Sequence, residues 1–205
     1  MPLVPRPSKI VCIGRNYVDH AKELGNPVPD KEPLFFLKPP SSLIGNGDAI
    51  VLPPQSKQVE YEGEIALLIG STLSRASEAE ATQAIRGIVA LNDVTARDLQ
   101  RKDSQWTRAK GFDTFCAVGD PYFGTVDLAN IEVITRLNGV ERQRGNSSQM
   151  VFSIPFCLSF ISHVMTLEPG DIVATGTPAG IGRLSSGDVV EVELVGISTL
   201  RNTVA

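Results

Sequence analysis

The chain has 205 residues, 42% of them hydrophobic and 20% charged, a size that supports one sizeable core and a composition ordinary for a globular protein. A net charge of −4 advertises no basic face, so nucleic-acid binding is set aside. The longest apolar runs, Ile65 to Ile69 and Val151 to Ile161, fall short of the ~20 residues that span a bilayer. Met1 to Lys9 carries three prolines where a signal peptide would need an apolar stretch. Cys12, Cys116 and Cys157 are far apart and form no C-x-x-C, which reads as reduced thiols in a cytoplasmic protein with no membrane partner.

In chain order, Lys9 to Ile13 reads as a short strand and Tyr17 to Leu24 as two helical turns closed by Gly25. A proline-rich loop from Asn26 to Pro33 follows, then strands over Leu34 to Lys38, Ala49 to Leu52 and Glu64 to Ile69. Ser77 to Arg86 predicts a surface helix capped by Ser77. Gly87 to Val94 reads as a buried strand. Ile131 to Leu137 and Val140 to Gln143 flank Asn138-Gly139, a hairpin signal. Phe152 to Met165 predicts an apolar helix with Pro155 in its first turn. Strands over Ile172 to Thr175, Val189 to Leu194 and Ser198 to Val204 close the chain. Many short strands with about three helices, and 18 Gly with 14 Pro for the turns, predict a β-rich α+β fold as a single catalytic domain, 1–205.

Glu62 and Glu64 flank Gly63 at the head of a strand, so both carboxylates point to one face, with Cα atoms roughly 6.5–7 Å apart. Asp93 ends an otherwise apolar strand, where an aspartate is costly to bury unless it is paired or metal-bound. Three carboxylates without a nearby cysteine or histidine form an oxygen-only donor set, suited to Mg²⁺, Mn²⁺ or Ca²⁺ rather than zinc. The same residues also describe a solvated strand face and a turn aspartate, and spacing leaves both readings open. Glu60, of the same parity, reads as surface. His20 and Glu23 stand at i,i+3 and share a helix face, where the carboxylate can orient the imidazole for acid–base work. A surface helix with an incidental pair is the plainer alternative. His163 reads as a satisfied core or boundary histidine. No Gly-x-Ser-x-Gly elbow is present, which disfavours a serine triad.

Five blocks in order resemble the fumarylacetoacetate hydrolase family: Gly14-Arg15-Asn16-Tyr17 with His20 and Glu23, then Tyr61-Glu62-Gly63-Glu64, Asn92 to Gln100, Lys110 to Phe115, and Thr175 to Gly182. The resemblance implies a mixed β-sandwich roll, a homodimer, and Mg²⁺ or Mn²⁺ held by Glu62, Glu64 and Asp93. It makes His20 and Glu23 a water-activating pair on a lid of about residues 16–30, and Lys110 a cation beside the metal. Arg97, Gln100, Thr177 and Tyr17 become substrate contacts. Ala117 and Asp120 stand where the family commonly carries prolines. The implied reaction is metal-dependent hydrolysis of a C–C bond in a small acylpyruvate such as fumarylpyruvate or acetylpyruvate, the short acylpyruvase type. Decarboxylation or tautomerisation of oxaloacetate, or isomerisation of a hydroxydienoate, uses the same enolate chemistry and is the alternative. In each case the partner is a small 2-keto acid. A non-catalytic ligand-binding protein carrying the same residues is a third class.

Overall fold

A computed structural model describes residues 6–205. The chain runs β1 (Ile10–Gly14), α1 (Val18–Glu23), β2 (Leu34–Lys38), β3 (Leu43–Ile44), β4 (Ala49–Ile50), β5 (Val59–Tyr61), β6 (Gly63–Ile69), α2 (Glu78–Gln83) and β7 (Ile85–Asp93). It continues with β8 (Thr95–Ala96), α3 (Arg97–Lys102), α4 (Thr107–Lys110), β9 (Cys116–Val118), β10 (Glu132–Leu137), β11 (Val140–Asn146) and α5 (Ile154–Val164). The last strands are β12 (Ile172–Ala174), β13 (Gly182–Arg183), β14 (Val189–Leu194) and β15 (Ser198–Val204). The class is α+β and strand-rich, as composition predicts.

Three sheets form. A mixed seven-stranded sheet has the order β2-β1-β12-β6-β7-β9-β3, a five-stranded sheet the order β11-β10-β14-β15-β4, and a small sheet the order β13-β5-β8. β6 is central and buried along its whole length, so its two faces serve two cores. Ile65, Leu67 and Ile69 pack with Val133, Val192 and Leu194 of the five-stranded sheet and with Cys157, Leu158 and Ile161 of α5. Ala66 and Leu68 point the other way, to Ile10, Cys12, Val89, Leu91 and Cys116. The period-2 alternation thus sends Glu64 to the second face. Gly63 faces the five-stranded sheet, where an added Cβ would lie 1.9 Å from Thr135 Oγ1. The Glu-Gly-Glu spacing is therefore also a packing requirement between the sheets.

Local signals place most elements. Ser77 and Glu80 form a capping box on α2. The helix stops at Gln83 rather than Arg86, because β7 already begins at Ile85 and Ala84 O accepts from Gly70 N at 2.7 Å. Ser153 caps α5, with Pro155 in its first turn. Asn138 and Gly139 take positive φ, and Leu137 pairs with Val140, the expected two-residue hairpin. Ala117 lies within β9 opposite Asn92.

Other expectations need correction. His163 is exposed, not core, and is satisfied by Ser159 O at 2.9 Å from Nδ1. Helices α3 and α4 and the strands β3, β5, β8, β9 and β13 had no sequence signal, being two to six residues long. The three cysteines are buried and unpaired. Burial pushes the thiols of Cys116 and Cys157 up to about 12, which leaves neither reactive. Among the described residues, no helix is long and apolar enough to cross a membrane.

Candidate active site

The acidic residues meet where β6 and β7 begin and end. Gly63 pairs with Asn92. Asp93 N donates to Glu62 O at 2.8 Å, and Glu62 N donates to Asn92 Oδ1 at 3.0 Å. Asp93 is thus the cross-strand neighbour of Glu62, and Glu64 is two residues along the same face. One ligand atom from each of Glu62, Glu64 and Asp93 lies within 4.8 Å of the others, and all three residues are buried. Glu62 itself sits in the link between β5 and β6 rather than inside a strand, but the one-face geometry expected of a strand is preserved.

Three buried cations neutralise part of this cluster. Lys110 Nζ donates to Glu62 Oε2 at 2.8 Å and to Asp93 Oδ2 at 2.7 Å. Lys38 Nζ donates to Asp93 Oδ1 at 2.5 Å and to Val94 O at 3.1 Å. Arg97 donates from Nε to Glu60 Oε2 at 2.8 Å, from Nη1 to Gln100 Oε1 at 2.5 Å, and from Nη2 to Glu62. Lys38 and Glu60 were absent from the sequence-predicted site. Glu60 is buried at 7% exposure and is no surface residue, since it anchors Arg97. Burial disfavours the ionised form of Glu62, but Lys110 and Arg97 outweigh it and hold that carboxyl well below the usual range.

Glu64 stands apart. It is 1% exposed and receives only the Gly176 N–H, at 2.8 Å, with no cation in ion-pair range among the described residues. Burial, then the charges of Asp93 and Glu62, raise its carboxyl well above the ordinary value. An oxygen-only triad with one uncompensated buried carboxylate fits a hard divalent cation, which would supply the missing positive charge. The raised carboxyl has a consequence for the metal-free protein. The folded state binds the Glu64 proton more tightly than the unfolded state does, so this group's contribution is fully present below the unfolded carboxyl pKa of ~4.3 and is lost as pH rises. In chelator, Glu64→Gln should therefore raise the urea midpoint at neutral pH, with the gain vanishing near pH 4. A destabilised Glu64→Gln at neutral pH would refute this charge assignment.

The Gly-rich loop after β12 closes one side. Gly176 has a φ of +100°, and a Cβ there would lie 2.9 Å from Asn16 Cβ, so only glycine can present its N–H to Glu64. Thr177 Oγ1 donates to Gly63 O at 2.9 Å and accepts from Gln143 Nε2 at 2.8 Å. From the other side comes α1. His20, 5% exposed, has Nδ1 3.2 Å from Glu23 Oε2, and Glu23 Oε1 accepts from Gly180 N at 3.0 Å. The pair is thus latched to the Gly-rich loop. The expected lid starts at an anchored residue, since Asn16 hydrogen-bonds Phe152 N, Phe152 O and Thr175 O.

A cavity of about 390 Å³, its mouth included, brings together Glu62, Glu64, Asp93, Lys110, His20 and Thr177 with Arg97 and Gln100. Phe36, Leu24 and Trp106 give it an apolar wall. Tyr17 and Glu23 lie outside the lining. Tyr17 is buried with its hydroxyl unpartnered, and burial followed by the charge of Glu64 raises its phenol above the usual value.

Known proteins carry the same plan. The model of the fumarylacetoacetate hydrolase C-terminal family matches residues 9–205. The oxaloacetate tautomerase YisK of Bacillus subtilis is 40% identical over 214 residues, covering 98% of this chain and 71% of its own. The structure of 2-hydroxyhepta-2,4-diene-1,7-dioate isomerase from Mycobacterium marinum superposes with a TM-score of 0.90 at 42% identity, covering 98% of this chain and 76% of that one. That of fumarylpyruvate hydrolase from Pseudomonas aeruginosa, in complex with Mn²⁺ and pyruvate, has a TM-score of 0.92 at 30% identity, covering 98% and 91%. With its fold and nearly its whole length matched in this way, the chain belongs to the fumarylacetoacetate hydrolase family.

Proposed function

We propose that the protein moves a proton at the carbon next to the keto group of a small 2-keto acid, with His20 as the acid–base group and Glu62, Glu64 and Asp93 holding Mg²⁺ or Mn²⁺. The observation that carries this reading is the burial of a carboxylate-oriented imidazole in one cavity with three converging carboxylates. A divalent cation bound there would act as a Lewis acid toward the oxygens of the keto acid. Glu23 fixes the imidazole through Nδ1, leaving Nε2 free to exchange a proton. Lys110, held between Glu62 and Asp93, places positive charge where enolate character develops. Phe36, Trp106 and Leu24 exclude water from one wall.

Two reactions share that step. In keto–enol tautomerisation of oxaloacetate, the enol hydroxyl loses its proton and His20 delivers one to C3. In acylpyruvate hydrolysis, His20 takes a proton from water and hydroxide adds to the distal carbonyl. The C–C bond then breaks, its electron pair passes to the enolate, and protonation at C3 gives pyruvate. The named relatives at 39–42% identity include a tautomerase, an isomerase and a hydrolase alike. Tautomerisation therefore stands beside the hydrolysis that the resemblance first implied, and the products distinguish them. Product analysis with oxaloacetate and with acetylpyruvate, each with and without Mg²⁺, tests the reading. Metal-dependent loss of the enol form is expected, and failure on both substrates would refute it.

The latch between Glu23 and Gly180 makes closure of α1 part of the same proposal. Oxalate with Mg²⁺ should slow amide exchange across residues 17–30, as followed by mass spectrometry. Unchanged exchange there, with oxalate shown to bind, would contradict a ligand-closed lid.

A further inference from the structure

Besides His20, three basic side chains line the cavity, Arg15, Arg97 and Lys110, and a fourth, Lys38, reaches Asp93 without lining it; three of these four are already committed. Lys110 serves Glu62 and Asp93, Lys38 serves Asp93, and every nitrogen position of Arg97 meets Glu60, Glu62 or Gln100. Arg97 therefore has little capacity left for the carboxylate-clamping role that its sequence block implied. Arg15 is different. It lines the cavity, and its buried Nε has no hydrogen-bond partner. No carboxylate of the described residues lies in ion-pair range of it.

The backbone holds Arg15 there at some cost. Its φ is +60°, in the left-handed region that non-glycine residues rarely occupy. Gly14 before it leaves space for Trp106, whose ring an added Cβ would approach to 3.2 Å. Asn16 after it is pinned by three hydrogen bonds to Phe152 and Thr175. The guanidinium then lies over Trp106, with Cζ 5.9 Å from the ring centroid. Trp106 is itself braced by Phe36 at 5.2 Å. An arginine stacked on an aromatic wall, its donors unspent, is built to receive a planar anion in bidentate fashion.

We propose that Arg15 is a specificity-determining residue that binds the second, distal carboxylate of the substrate, so that the site selects dicarboxylic 2-keto acids over monocarboxylic ones. This rests on the 2-keto acid reading given above, in which the first carboxylate and keto oxygen would face the cation that Glu62, Glu64 and Asp93 would hold. A monocarboxylic acid would leave the guanidinium facing a methyl group or water.

The test uses two matched ligand pairs, oxaloacetate with 2-oxobutyrate and 2-oxoglutarate with 2-oxovalerate, in which a methyl replaces the distal carboxylate. Trp106 is the only tryptophan of the chain and lines the cavity, so its fluorescence reports binding to the Mg²⁺-loaded protein independently of turnover. The parent protein should bind the dicarboxylate at least about 10-fold more tightly in one or both pairs, the scale of a charge-assisted hydrogen-bond pair. Arg15→Met should bring that ratio close to 1, and Arg15→Lys, which keeps charge without the fork, should leave it intermediate. The positive φ strains Met, Lys and Arg alike, so the comparison isolates the side chain. A ratio that survives in Arg15→Met, or a parent protein that binds both members of each pair equally, would overturn the proposal while leaving the 2-keto acid reading intact. Absence of binding by all four ligands would overturn both.

Discussion

His20→Ala should lower oxaloacetate tautomerisation and acylpyruvate hydrolysis by ~10²–10⁴-fold, the usual weight of a general acid–base group. Both reactions need a proton moved at a defined atom, and His20 is the one histidine of the cavity. Its partner Glu23 is tied to Gly180 N at 3.0 Å, so the imidazole is positioned by the same loop that presents Gly176 to Glu64. Decarboxylation of oxaloacetate is the internal control. It needs an electron sink but no protein base for the bond-breaking step, so it should fall much less. The ratio of rates cancels losses in active fraction. A uniform loss across all three reactions would recast His20 as a closure residue rather than the proton carrier.

Lys38→Met should produce the largest stability change. Lys38 Nζ is fully buried and lies 2.5 Å from Asp93 Oδ1. Removing it leaves Asp93 with Lys110 alone, in a cluster where Glu64 already lacks a cation. Breaking a buried ion pair from one side typically costs about 3–5 kcal/mol, because the remaining charge is uncompensated. For a chain of this length that corresponds to roughly 6–20 °C in Tm. The loss should be greatest in chelator and partly reversed by Mg²⁺, which supplies positive charge to the same carboxylates. A Lys38→Met variant as stable as its parent in chelator would show that Asp93 is adequately neutralised without it.

The contrast between Lys38 and Asp93 shows what the sequence made legible. Asp93 stood out as a charge at the end of an apolar strand, and the same cost of burial applies to Lys38, which follows Leu34 to Leu37. Read together, the two form a buried pair between β2 and β7, but nothing in their order along the chain brings them together. Glu60 was misread for a similar reason. Its parity with Glu62 was visible, whereas its partner Arg97 lies 37 positions away. Period-2 alternation put Glu62 and Glu64 on one face but left a solvated face open, and the ordered family blocks joined Asp93 to them; the pairing of β6 with β7 that brings the three together is seen in the structure. The strand-rich class and the long strands followed from local patterning. The two- to six-residue elements did not, since so few residues show no periodicity and their strands are placed by pairing with distant segments.

The metal centre is tested most directly by titrating the chelator-treated protein with Mn²⁺ by calorimetry, alongside Asp93→Asn and Glu64→Gln. The expected result is one site per chain in the parent, weakened by at least about 10-fold in both variants, with keto-acid turnover restored in proportion to occupancy. Equal Mn²⁺ affinity in parent and variants, or full turnover in excess chelator, would contradict a metal centre built from Glu62, Glu64 and Asp93.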